Sequence, residues 1–363
     1  MKKQLTVALG LAVLATPAFA SKARLLALGE DVNGSFYIND NRNVFLNASE
    51  VNSHKDLVTF EWGAADASGA ADTPNAEGGF YRSVNNMVYG LQFGRNLSFN
   101  EGEDDVGNTD SVAATNALDF FVGGDAGLKW GAQLTYSDRK SDIAPKAETN
   151  VIDLAVGITS GDLSAFLKYG VAGKAEATAV EVERKNAIDL GASYKWDDYT
   201  AFGQYAASKY EADKTIDDEI SSKSYQVGVG RSKKLNEKST FFAKLAYVNT
   251  NSDQDTTDEV KEMNIPLTFG LEYDATSWLA LRGSVSQSLH SKVDDGTVDG
   301  TNPETTTVAA GASLKFGDLT VDGMIGNNPN GAIGATDADN TSTGAGQLRT
   351  DSLMSRVSMT YRF

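Results

Sequence analysis

The sequence predicts an all-β protein: a closed antiparallel transmembrane β-barrel of 16 strands, with short turns at one end and long loops at the other. Three observations lead there. The chain opens on an export leader and afterwards holds no apolar run of the 18 or more residues that a spanning helix needs. Its apolar residues instead alternate with polar ones over segments of about ten residues, the length a tilted strand needs to cross a bilayer. The connections between those segments are alternately very short and long.

The leader is MKKQLTVALGLAVLATPAFA, residues 1–20. Lys2 and Lys3 precede a short apolar core from Leu5 to Leu14, and Ala18-Phe19-Ala20 supplies small residues where a signal peptidase reads. This is a signal peptide cleaved after Ala20, so the mature chain begins at Ser21. The 363 residues contain no cysteine and two histidines, and 49 acidic against 32 basic residues give a formal charge of −17. Losing two lysines takes that to about −19. Such acidity argues against a nucleic-acid partner, because a phosphate-neutralising surface is basic. Lack of cysteine excludes a disulfide framework and thiolate metal sites, and no cofactor is expected.

Residues 21–56 show no clean period. Ala23 to Leu28 reads as a helical turn and Val44-Phe45-Leu46 is apolar. Two readings stand: a luminal plug or cover of the barrel mouth, or a loosely ordered N-terminal segment. The barrel is placed at 57–363. Its first strand is 57–63, and 78–84 joins 87–96 through Asn85-Asn86, a tight turn. The others are 117–124, 128–137, 150–160, 163–171, 185–196, 198–208, 223–233, 238–250, 262–274, 277–289, 305–316, 318–327 and 353–363. Arg82 breaks the expected parity of 78–84, and dropping the first two strands leaves 14 as the alternative.

Parity is clearest in two strands. Ile188, Leu190, Ala192, Tyr194 and Trp196 oppose Asp189, Gly191, Ser193 and Lys195; Ile265, Leu267, Phe269, Leu271 and Tyr273 oppose Thr268, Gly270, Glu272 and Asp274. Turns such as Ser160-Gly161-Asp162 and Gly317-Asp318 are short. Polar stretches 97–116, 138–149, 172–184, 209–222, 251–261, 290–304 and 327–352 are expected as loops. Aromatic residues Tyr136, Trp196, Tyr199, Tyr247, Tyr273, Trp278, Phe316 and Tyr361 gather near strand ends, as in interfacial girdles. The last strand alternates through Val357, Met359, Tyr361 and Phe363.

By the same parity, Glu61, Asp119, Asp153, Asp189, Glu272 and Asp322 point inward, with Lys129, Lys168, Lys195, Lys244, Arg282, Lys315, Arg356 and Arg362. The lining is thus nearly balanced, and the excess acid falls in loops: Glu101 to Asp105, Asp217-Asp218-Glu219, Asp253 to Glu259 and Asp294-Asp295. A barrel of this size leaves an aqueous channel.

Leader, alternating strands, sided loops and the closing Tyr361-Arg362-Phe363 together resemble a Gram-negative outer-membrane porin of the general-porin-like class. The resemblance covers 57–363 as a pattern. It implies a cell outer membrane location, and an assembly signal in Tyr361 and Phe363 read by the outer-membrane assembly machinery. It also implies contact with lipid and lipopolysaccharide, small polar solutes as cargo, and a homotrimer as one open state. General porins fold a long acidic loop into the pore; no such motif is clear here. The function read from wall and loops is passive diffusion of small hydrophilic solutes and ions with weak cation preference, since acidic loops concentrate cations at the mouth. A non-conducting structural or adhesive barrel filled by 21–56 is the alternative. An outer-membrane hydrolase is disfavoured: only His54 and His290 are available, and acids near His290 (Asp294, Asp295) are ordinary loop composition. Asp294 to Gly300 and Asp337 to Asn340 offer oxygen ligands but lack the EF-hand spacing, so no metal is expected.

Overall fold

A computed structural model describes residues 21–64, 76–97, 114–141, 147–177, 180–212, 218–254, 257–296, 299–301, 306–327 and 353–363. The signal peptide and the acidic runs 101–105 and 337–340 lie outside the described residues. The strands are β1 (Leu57–Ala64), β2 (Glu77–Val84), β3 (Met87–Leu97), β4 (Ala114–Asp125), β5 (Lys129–Ser141), β6 (Ala147–Ser160), β7 (Leu163–Ala177), β8 (Val180–Trp196), β9 (Tyr199–Ala212), β10 (Asp218–Lys234), β11 (Ser239–Gln254), β12 (Thr257–Asp274), β13 (Leu279–Asp294), β14 (Asp299–Thr301), β15 (Thr306–Phe316), β16 (Leu319–Asn327) and β17 (Leu353–Arg362).

Each strand pairs antiparallel with its neighbour in sequence, and β17 pairs with β1 from Leu57↔Arg362 to Ala64↔Ser355. That pairing closes the sheet and removes its edges. The short β14 and the longer β15 both pair with β13, β14 near Lys292–Asp294 and β15 from Leu279 to Gln287, so they share one track. Sixteen strands therefore complete the circuit, and the 14-strand alternative is set aside.

The hairpin that decides this count keeps its alternation after all. Tyr81 is buried inside while Phe80 and Arg82 point outward. Arg82 lies 3.5 Å from Asp56, and its guanidinium stands 5.0 Å from the centre of the Phe363 ring, at the short-turn end of the barrel. A long cation there reaches toward the interface instead of remaining in hydrocarbon. Asn85 takes φ 54°, the left-handed conformation that a two-residue hairpin turn needs and Asn tolerates.

Outward positions carry a continuous apolar band that includes Phe60, Leu154, Val156, Ile158, Val227, Leu245 and Leu271, all well exposed. A band of that extent fits lipid, not water. Trp196 stacks on Tyr199 at 5.9 Å and Tyr225 on Tyr247 at 6.1 Å. Among the described residues no helix is long and apolar enough to cross a membrane.

Five stretches expected as loops need correction. Among them, 138–149 and 290–304 are each more than half strand, in β5, β6, β13 and β14. β8, β10 and β12 run for 17, 17 and 18 residues, well past the 9–11 or so that span a bilayer. Most of 172–184, 209–222 and 251–261 is therefore strand. Beyond the membrane the outward face no longer meets lipid, so the lipid-facing apolar period ends while the backbone ladder continues. There Val182 and Tyr210 are buried with Ala117 and Val151.

Three clusters of buried apolar residues lie inside the barrel, between its wall and residues 21–56; a fourth, Ala117, Val151, Val182 and Tyr210, is made by wall strands alone. Leu25, Leu28, Tyr37 and Ile38 pack with Phe242 of β11. Val44, Phe45 and Val51 pack with Leu57, Tyr81, Val88 and Phe121. The helix Lys22–Ala27 puts Ala23 and Ala27 against Ala309 and Met324. On the wall, Gly131 faces Ala48 and Gly230 faces the Tyr37 ring so closely that an added Cβ would collide with each. Ser49 reaches Thr159 at 2.8 Å, and Asn52 donates to the Trp130 carbonyl at 2.9 Å. Residues 21–56 thus meet the inner wall on many sides in its short-turn half.

Candidate functional site: the charged lumen

The first luminal cluster forms where the Lys22–Ala27 helix meets β12, β13 and β16. Ser21 caps the helix: its Oγ accepts from the Arg24 amide at 3.1 Å and donates to Asp322 Oδ2 at 3.3 Å. Arg24 donates from Nε and Nη2 to the two Glu272 oxygens at 2.9 and 3.3 Å, and from Nη1 to Asp40 at 3.1 Å. Arg282 donates to Glu272 at 2.7 Å and to Asp322 at 2.6 Å. Glu272 therefore sits between two guanidiniums, the planar donors suited to buried carboxylates.

A second cluster lies beside it. Lys22 pairs with Glu77 through its ammonium, and its backbone amide donates to Glu61 Oε2 at 3.1 Å. Arg42 donates to Glu77 at 3.0 Å and stands 3.9 Å from Glu61. The guanidiniums of Arg42 and Arg95 approach the Phe45 ring at 4.2 and 4.3 Å. Arg95 then grips Asp119 with two bonds of 2.8 and 2.7 Å, while Gln133 and Thr135 donate to the same carboxylate.

Around the far wall, Arg184 pairs with Asp153, and Lys168 lies 2.8 Å from Asp189, which also accepts from Gln204. Lys244 lies 2.6 Å from Glu30, to which Tyr37 donates at 3.0 Å. Phe36 stacks on Phe202 with ring centres 4.7 Å apart.

Outside the spanning strands, six buried groups depart from their ordinary ionisation: Lys22, Arg24, Tyr37, Asp40, Arg42 and His54. Burial pushes Asp40 up to about 7, against the pull of Arg24. Burial, then Arg42, brings Lys22 down to about 8. His54 is brought down to about 3, first by burial and then by Arg362, Lys129 and Arg24.

The inward carboxylates are mostly covered: Asp119 and Asp322 are fully buried, and Glu61 and Asp189 nearly so. Asp153 and Glu272 are close behind. Arg282 is buried, Lys168 and Lys244 largely so. Lys315 reaches Asp274 at 3.1 Å, and Lys129 reaches Ser53 at 3.2 Å. Lys195 is exposed near the Asp197 turn; Arg356 and Arg362 are half-buried. Tyr361 and Phe363 both face outward and are exposed, and the Phe363 amide donates to the Asp56 carbonyl at 3.2 Å.

Two wall cations escape the sequence reading: parity turns Arg95 outward, and Arg184 falls in 172–184, expected as a loop; a bulge lies beside each. In β3, Gly94 takes φ +86°, and the register steps from Phe93↔Leu118 to Arg95↔Ala117. One extra residue turns Arg95 inward. In β8 the register steps from Arg184↔Tyr210 to Asn186↔Lys209, which turns Arg184 inward. A glycine followed by a lone arginine at a strand end is the only trace of the first in the sequence. Arg24, Arg42, Asp40 and Glu30 were missed because 21–56 has no periodicity to read. The two histidines are far from any shared site: His54 is buried before β1, and His290 is exposed on β13. Among the described residues no group of three or more His, Asp or Glu is placed to hold a metal ion.

A closed antiparallel barrel with a lipid-facing apolar band and a charged interior defines an outer-membrane channel-type barrel. The chain belongs to the Gram-negative porin family, whose model matches residues 47–254. No curated protein matches the sequence. Solved structures similar to it include an anion-selective porin from Comamonas acidovorans (16% identity, 85% of this chain and 98% of that one, TM-score 0.42). Others are OmpF of Salmonella typhi (15%, 85% and 97%, TM-score 0.44) and OmpT of Vibrio cholerae (11%, 85% and 97%, TM-score 0.41). With the family comes the place: the short turns face the periplasm and the long loops the exterior.

Proposed function

We propose that the protein is a passive diffusion channel for ions and small hydrophilic solutes whose narrowest section is set by residues 21–56. The observation that carries this reading is the packing of 21–56 against inward residues around the periplasmic half of the wall, from Asp322 and Glu272 to Thr159 and Trp130. Solutes must pass what space this segment leaves. The wall pairs its cations with carboxylates, so net selectivity falls to the acidic exterior: a chain of −17 draws cations to the mouth. Tyr361 and Phe363 serve the assembly machinery, lipopolysaccharide bounds the loops, and a homotrimer is the assembly proposed.

Planar-bilayer recording tests this. The mature chain should give small ohmic steps with a reversal potential that favours potassium over chloride, more so at low salt. Deleting 21–52 should raise the step size several-fold. Chloride preference, or equal steps with and without the segment, would overturn the reading. The burial of Asp119 and Asp322 also favours a second reading, a barrel that stays closed while the segment is seated. Silence from the full chain with conduction by the deletion would establish that one.

A further inference from the structure

Ser21 is fully buried, although cleavage after Ala20 makes it the first residue of the mature chain. Beneath it the wall presents a row of three inward residues. Ser358 on β17 is directly opposite Glu61 on β1 and directly opposite Asp322 on β16. Neighbouring strands lie about 4.8 Å apart, so the two carboxylates flank the Ser358 hydroxyl. Ser21 Oγ donates to Asp322 Oδ2 at 3.3 Å, and the next amide, of Lys22, donates to Glu61 Oε2 at 3.1 Å. The backbone nitrogen of Ser21 is therefore tethered over this row.

The row is short of donors. Glu61 Oε1 and Ser358 Oγ are buried and have no hydrogen-bond partner among the described residues, where Glu61 is 4% and Ser358 1% exposed. The carboxylates of Asp40, Glu61, Glu77, Glu272 and Asp322 face Lys22, Arg24, Arg42 and Arg282. Five acids meet five cations here, counting the half-buried Arg356, which lines the small cavity between Lys22 and Ser358. Buried carboxylates require paired charge.

We propose that the α-ammonium of Ser21, created by signal-peptide cleavage, docks between Asp322 and Glu61 over Ser358 and locks residues 21–56 in the lumen. Hydrolysis of the Ala20–Ser21 bond consumes one water, leaves a carboxylate on the released leader and a protonated amine on the chain. An unprocessed chain offers one neutral N–H at this point; the processed one offers three donors and a positive charge beside the unsatisfied Glu61 and Ser358 oxygens. A cation at a helix start opposes the helix dipole, so the flanking carboxylates are what makes the position favourable. The proposal rests on the reading that 21–56 occupies the lumen.

The test is the reactivity of that amine. The mature, refolded barrel is treated at neutral pH with an α-amine-selective reductive methylation reagent, and the N-terminal peptide is followed by mass spectrometry. The expected rate is about 100-fold below that of the urea-unfolded chain, the ratio of a two-unit rise in amine pKa. Asp322→Asn and Glu61→Gln should each restore much of the rate. Should either fail to fold, a glycine inserted ahead of Ser21 moves the amine by one residue and should likewise lose the protection. Labelling of the unaltered barrel at the unfolded rate overturns the docking, as does full protection in the glycine insertion. If the amine labels freely yet deletion of 21–52 raises conductance, only the docking falls. If the amine is protected and the deletion changes nothing, the channel reading falls and the docking stands.

Discussion

In the periplasmic half, Arg282 is buried and holds Glu272 and Asp322 at 2.7 and 2.6 Å. In the strand ends beyond the membrane, Lys185 holds Glu211 at 2.7 Å and Lys174 holds Glu181 at 3.1 Å, but these lysine side chains are 36% and 47% exposed. The distances are alike and the energetics are not. Exposed pairs are screened and spend side-chain entropy to form; buried pairs are expensive to assemble and more expensive to break. Burial, not geometry, ranks these interactions, and burial here comes from residues 21–56.

The largest effect should therefore follow from breaking a luminal pair on one side. Arg282→Met removes the buried guanidinium that bridges Asp322 and Glu272 and should cost about 3–5 kcal/mol. Urea unfolding of the refolded barrel in micelles measures it, and a loss below about 1 kcal/mol would show that water already screens the cluster. Adding Asp322→Asn to the same chain should recover much of the loss, because the uncompensated charge is then gone.

A smaller effect should follow from His54. Its seated form resists protonation until about pH 3, whereas an unseated histidine takes a proton near 6.5. A group with a depressed basic pKa stabilises the seated state at high pH, and that contribution is lost as pH falls below 6.5. At pH 5 the loss is about 2 kcal/mol by this linkage. Asp40, raised to about 7, acts in the opposite sense: its seated form gains a proton as pH falls from 7 toward the usual carboxylate range. The comparison between proteins isolates the histidine. His54→Gln should make residues 21–56 more resistant to protease at pH 5 than the native chain, with no difference at pH 8. Equal acid lability in both would remove His54 from the account.

The same division explains what could be read in advance. Inside the bilayer one face of each strand meets lipid, so parity alone located Glu61, Asp119, Glu272, Arg282 and Asp322 on the inner wall. Two bulges, at Gly94 and near Lys185, each flip parity for the residues beyond them; Arg95 was lost for that reason, and Arg184 because 172–184 reads as a loop. Arg82 seemed out of place only while Asp56 and Phe363, remote in sequence, were unknown as neighbours. Residues 21–56 are specified by the wall around them: an irregular segment with short helices has no period of its own, and its partners lie as far along the chain as Asp322. Among the strand extensions, 180–184 was hidden because the bulge near Lys185 breaks its alternation away from that of 186–196, and Val182 is buried with Val151 and Tyr210 instead of facing lipid.

Those extensions carry the smallest expected effect. Lys185 touches both Glu183 and Glu211, and the hydrogen bonds its ammonium donates to these two carboxylates hold it in the charged form. All three side chains stand in solvent beyond the membrane, where the strand is held by backbone pairing with Tyr210 and Lys209 on either side of the bulge. Lys185→Ala removes a cation and leaves two acids more exposed at the outer mouth. Its unfolding midpoint in urea should match that of the native barrel within measurement error, since an exposed pair contributes little. The preference for potassium should rise slightly at low salt, because one positive charge has left the entrance. A clear drop in the midpoint would mean that the extensions are held by their charges, and the contrast between the two halves of the barrel would not stand.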